Sequence, residues 1–71
     1  MLALAGELDE AILEHGKAVE LEPSEPGWRW RLAEDLRRAG RLEAARAATR
    51  EALRRFPAEP SLLALATTLE L

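Results

Sequence analysis

Apolar residues recur at three- and four-residue steps along most of this chain, the spacing of helices that bury one face. In residues 7–22, Leu8, Ala11, Ile12, His15, Ala18 and Val19 share a face, with Glu14, Lys17 and Glu20 opposite. Gly6 permits a turn before this helix, and residues 1–5 read as the end of a preceding one. Pro23 disfavours the helical conformation just before it, so the helix should stop near Glu22. A short connection follows, in which Ser24 or Glu25 enters a second helix that Pro26 is shaped to start. There Trp28, Leu32, Leu36 and Ala39 lie together while Trp30, Glu34 and Arg37 lie opposite, which puts Trp28 in the core and Trp30 on a surface. Gly40 supplies a left-handed turn. Leu42, Ala45, Thr49, Ala52, Leu53 and Phe56 mark the buried face of a third helix that Pro57 stops. Pro60 opens a last segment, SLLALATTLEL, whose leucines and alanines surround most of the circumference.

The first and third of these helices, with their flanking turns, are related. GELDEAILEHGKAVELEPSEP, residues 6–26, and GRLEAARAATREALRRFPAEP, residues 40–60, match without a gap at Gly6/Gly40, Leu8/Leu42, Ala11/Ala45, Ala18/Ala52, Pro23/Pro57 and Pro26/Pro60. The offset is 34 residues, and self-similarity at such a period indicates a stacked all-α repeat architecture. The 71 residues form a single domain: a partial repeat at 1–25, a complete one at 26–59, and the first helix of a further one at 60–71. A chain of this size has a marginal core. Terminal repeats ordinarily carry a polar outer face, but the apolar stub at 1–5 and the last helix do not. The chain is therefore expected either to be a piece of a longer array or to have its ends covered by another copy.

Taken from Pro26, the residues Leu32, Ala33, Leu36, Gly40, Leu42, Ala45, Ala52 and Pro57 resemble the signature of the tetratricopeptide repeat, a helix-turn-helix unit of the same period. The family's usual tryptophan place holds Arg29 between Trp28 and Trp30, and its aromatic place in the second helix holds His15 in one unit and Thr49 in the other. The resemblance implies antiparallel helix-turn-helix repeats stacked as a short right-handed α-solenoid. It also implies a protein–protein interaction scaffold that holds a peptide or partner segment on the concave face formed by the first helix of each unit. Carried over position by position, that face consists of Gly27, Trp30, Glu34, Arg37 and Arg38 and continues to Ser61, Ala64 and Thr68. Arg31 matches one position of the carboxylate clamp found in some members. A clamp is not expected here, because Leu65 stands where a further cation is needed and the preceding unit's positions lie before Met1. The residues expected to touch a partner are Trp30, Glu34, Arg37, Arg38 and Arg31, with Trp30 foremost as a rigid aromatic of large area.

Charge adds a second theme. Residues 1–26 carry a net −6 and residues 27–59 a net +4, within a total of −3. This asymmetry suits complementary faces in an assembly, so a structural element that self-associates through its apolar terminal helices is the second reading. Arg46, Arg50 and Arg54 recur every four residues, and electrostatic nucleic-acid binding along that ribbon is the third. Glu43 before Arg46 and Glu51 before Arg55 argue instead for ordinary pairing along a helix surface. The lone His15 lacks companions for a metal site or a nucleophile–base pair, and no cysteine is present. Neighbouring acids such as Glu34 and Asp35 diverge by about 100° on a helix and make no carboxylate dyad. The expectation is a non-catalytic, cofactor-free, cytoplasmic chain with no membrane span.

Overall fold

The computed structural model describes residues 5–71, and these form four helices and no strand. They are α1 (Ala5–Leu21), α2 (Pro26–Arg38), α3 (Leu42–Arg55) and α4 (Pro60–Thr68). No helix among the described residues is long and apolar enough to cross a membrane. The face expected of the first helix is the one α1 turns inward: Leu8, Ala11, Ile12, His15, Ala18 and Val19 are half-buried, and Glu14, Lys17 and Glu20 are exposed.

Prolines and caps set most boundaries. The Glu25 carboxylate accepts the Gly27 N–H at 3.0 Å, satisfying one of the donors that a helix start leaves open, and Pro26 takes the first helical place, where no donor is needed. At the end of α2, Gly40 adopts φ +80°. The Arg41 N–H then reaches the Leu36 carbonyl at 2.9 Å and the Gly40 N–H reaches Arg37 at 3.0 Å, the paired closure that a left-handed residue permits. The end of α4 repeats this closure, with Leu71 N–H on Ala66 O and Glu70 N–H on Thr67 O. Here the left-handed place is held by Glu70, at φ 60°.

One boundary differs from expectation. Gly6, the repeat counterpart of Gly40, lies inside α1 and makes no turn. Glycine permits a left-handed turn without requiring one, and its cost inside a helix is only about 1 kcal/mol. Glu7 in the first turn of α1 partly offsets that cost by opposing the helix dipole. The expected helical stub falls on residues 1–4, outside the described residues, and on Ala5, which belongs to α1.

The core is thin and built mainly from small side chains. Ala33, Leu36, Ala45, Leu65 and Leu69 form its buried cluster, with Ile12, Trp30, Leu32 and Ala48 packed against it. Leu62 and Thr49 are the largest side chains that are wholly enclosed. The Thr49 hydroxyl donates to the Ala45 carbonyl at 2.8 Å, which removes the penalty of burying it. Each helix packs on the next, α2 also touches α4, and among the described residues α1 packs on α2 but not on α3. In the last helix Leu62, Leu65 and Leu69 face inward, and Leu63 and Leu71 remain exposed.

The two left-handed closures generate a paired expectation. A Cβ at Gly40 would meet nothing within 4 Å, so Gly40→Ala should cost only the backbone strain, about 1 kcal/mol. Glu70→Gly should recover a similar amount. Urea unfolding followed by circular dichroism should show the two variants moving in opposite directions.

Candidate partner surface

The two sides of α2 carry different chemistry. Toward α1, Asp35 is only 8% exposed and its carboxylate hydrogen-bonds to Nδ1 of His15. The His15 ring lies 5.8 Å from the Trp28 ring, centroid to centroid, tilted by 31°. Trp28 Nε1 donates to the Glu22 carboxylate at 2.6 Å, and the Arg31 guanidinium sits 5.9 Å from the Trp28 ring centre. One chain of contacts thus runs from Asp35 through His15 and Trp28 to Glu22 and Arg31. An open cleft of about 340 Å³ at the α1–α2 connection is lined by Glu22, Glu25, Gly27, Trp28 and Arg31.

On the side toward α4, Trp30 is half-buried against the core cluster. One turn on, Arg37 donates to Glu34 through Nε at 2.9 Å and through its terminal nitrogen at 2.6 Å, a two-pronged pair. These bonds from Arg37 hold the Glu34 carboxyl below its ordinary value against the opposing effect of burial, with the charges of Arg37 and Arg38 adding to them. Glu34 in turn raises Arg37. Arg37 also borders a second cleft of about 260 Å³, shared with Leu42, Arg46, Thr68, Leu69 and Glu70. Arg46 closes one wall of it by donating to the Leu69 carbonyl at 3.2 Å.

The expected partner residues are therefore divided. Trp30, Glu34 and Arg37 follow one another along the α4 side of α2, with Thr68 of α4 sharing the cleft that Arg37 borders. Arg38 is exposed, and Arg31 stands apart beside Trp28. The expected contrast between the tryptophans changes: Trp28 is half-buried and outside the core cluster, whereas Trp30 packs against that cluster. The indole N–H explains the shift, since Trp28 keeps its donor on the exposed Glu22 and a fully buried ring would forfeit that bond.

The arginine ribbon is partly occupied by its own helix. Arg46 bonds Glu43 at 3.3 Å, and Glu51 pairs with Arg54 at 2.8 Å rather than with Arg55 as its spacing suggested. Arg41 reaches Asp9 at 2.8 Å and ties the start of α3 to α1. No three His, Cys, Asp or Glu side chains gather as metal ligands among the described residues.

The His15–Asp35 pair escaped the sequence reading, yet the repeat carried a signal for it. Asp35 stands 34 residues before Leu69, and His15 stands 34 before Thr49. Leu69 and Thr49 are both buried. A polar residue in each of two facing core places is the mark of a pair. No protein-family model, curated protein or solved structure matches this chain.

Breaking that pair from one side should be costly. Asp35→Ala should lower stability by about 1–3 kcal/mol, because it leaves the imidazole facing an apolar gap. The double change His15→Leu with Asp35→Leu should cost less than the sum of its single changes, as a double-mutant cycle in urea would show.

Glu34 gives one sign-defined dependence on acid. Its folded value lies below its ordinary 4.5, so the pair's stabilisation is complete above that pH and fades as pH falls through the lowered value. The stability gap between the native chain and Glu34→Gln should be about 0.2–0.5 kcal/mol at neutral pH and should close in acid.

Proposed function

We propose that this chain is a non-catalytic protein–protein interaction scaffold of the tetratricopeptide kind. Its antiparallel helix pairs stack as a short right-handed solenoid, and a partner segment lies along the α4 side of α2. The gapless 34-residue repeat and the packing of each helix on its neighbour support that arrangement. The observation that carries the binding reading is the open surface running from half-buried Trp30, past the Glu34–Arg37 pair, to the cleft that Arg37 shares with Thr68.

Each residue has a separable role in this reading. Trp30 offers a ring already anchored by the core, so little side-chain freedom remains to be lost when a partner covers its outer edge. Glu34 and Arg37 hold each other in place, and Arg37 keeps one terminal nitrogen free of that pair to meet an acceptor on the partner. Arg38 adds a charge at the rim, where it speeds encounter more than it strengthens the complex.

Selection from a displayed peptide library, followed by titration calorimetry, tests the proposal. Trp30→Ala should weaken a selected peptide by about thirtyfold, the range of an aromatic hot spot. Because Trp30 also packs on the core, helix content must be checked alongside. Arg38 is exposed, so Arg38→Glu should slow association while leaving the core packing unchanged. Trp28→Phe should leave affinity unchanged. A peptide whose binding ignores Trp30→Ala and Arg38→Glu while the helices persist would remove this surface from consideration.

A further inference from the structure

The repeat register and the packing order assign every helix a place. α2 lies between α1 and α3, whereas α4 packs on α3 and touches α2. In the 34-residue register α4 corresponds to α2, and α1 corresponds to α3. The helix that would stand to α4 as α3 stands to α2 is therefore missing among the described residues. The residues show the consequence. Trp30 is half-buried and Ala33 fully buried, but their counterparts Ala64 and Thr67 are exposed. Leu63, the counterpart of half-buried Arg29, is 46% exposed. No charged side chain occurs from Pro60 to Leu69. α1 shows the converse: Ala45 and Thr49 are wholly buried, while their counterparts Ala11 and His15 are only half-buried.

We propose that the uncovered side of α4 docks on α1 of a second copy of this chain, head to tail. The second copy's α1 then gives α4 the neighbour that α3 gives α2, and α4 gives that α1 the neighbour that α2 gives α3. Charge favours this arrangement over packing α4 on α4. α1 carries five acids against Lys17, a net −4, while α3, which flanks α4, carries four arginines against two acids, a net +2. Head-to-tail stacking brings the acidic helix toward the basic one, at the separation that α1 and α3 keep within the chain, where they share no packing contact among the described residues. Stacking α4 on α4 instead brings two basic helices together. Within the chain the Asp9–Arg41 bridge already joins α1 to the start of α3.

The same register also exposes a weak point. At the junction Glu43 takes the place of Asp9, and Glu7 of the second copy takes the place of Arg41, so a like-charged pair stands where the chain has a bridge. The contact is consequently weak and reversible, and because its two surfaces differ it does not close at two copies unless the rotation happens to form a ring.

Sedimentation equilibrium of the 71-residue chain over a wide concentration range tests this. The mass should rise with concentration and pass that of a dimer. Leu63→Arg places a charge on the exposed side of α4 and should lower the association constant about tenfold or more; Thr67→Arg supplies a second site on that side. Glu7→Arg should raise the constant about two- to fivefold by turning the repulsive pair into a bridge. A chain that stays monomeric overturns the proposal. So does an assembly that stops at the dimer and ignores Glu7→Arg, which is the behaviour of α4 packed on α4. Retained association in both arginine variants, with helix content intact, overturns it as well.

Discussion

The crossing of α2 and α3 through Ala33, Ala45 and their neighbours is the constraint on which the rest of this structure depends. Both alanines are wholly buried, as are Ala52 and Thr49 farther along α3. Small side chains let helix backbones approach closely, and the interior gains its contacts from that proximity rather than from large apolar groups. A thin seam leaves no room for big rings, so both tryptophans remain half-buried at its margins. Their placement at the edges is a consequence of the seam.

Two interfaces built on one register have been solved differently. Toward α3, α4 presents Leu62, Leu65 and Leu69, all buried. At the same register α2 presents Trp28, Arg31 and Asp35 toward α1. The aliphatic version gains from removing apolar surface from water and has little geometric demand. The polar version gains less for each contact but fixes angles: His15 must meet Asp35, Trp28 must meet Glu22, and a helix displaced by one turn can do neither. Directional contacts of this kind specify arrangement where a shallow apolar surface does not.

Much of this was legible in the sequence because punctuation and period reinforce each other. Pro23, Pro26, Pro57 and Pro60 bracket the connections, Gly40 makes the turn its conformational freedom allows, and the 34-residue offset sets which helices are alike. Gly6 was misleading because glycine reports only permission. The phase of Trp28 along α2 placed it in the core, yet it lies half-buried outside the core cluster, because phase does not register the pull of an indole donor toward Glu22. Glu51 had two arginines in reach, and its choice of Arg54 over Arg55 depends on side-chain rotamers that spacing does not encode. On the partner surface, the register placed Trp30, Glu34 and Arg37 in one row. It could not show that Glu34 and Arg37 bond each other at two points.

Because Trp30 packs against the core cluster and also lies on the open side of α2, stability and the proposed recognition share a side chain. In a large domain such sharing is of little consequence, since one contact is a small part of the whole. In a chain of this size it matters more: under the proposed function, a partner covering the outer edge of Trp30 would extend the cluster containing Leu36, Leu65 and Leu69, and so hold α4 against α2 as well as itself against this chain. Binding then stabilises the folded chain by mass action. The same logic applies to a second copy seated on α4, because either occupant favours the arrangement of α2, α3 and α4 that the other requires. Two ligands that order the same few helices assist one another without touching.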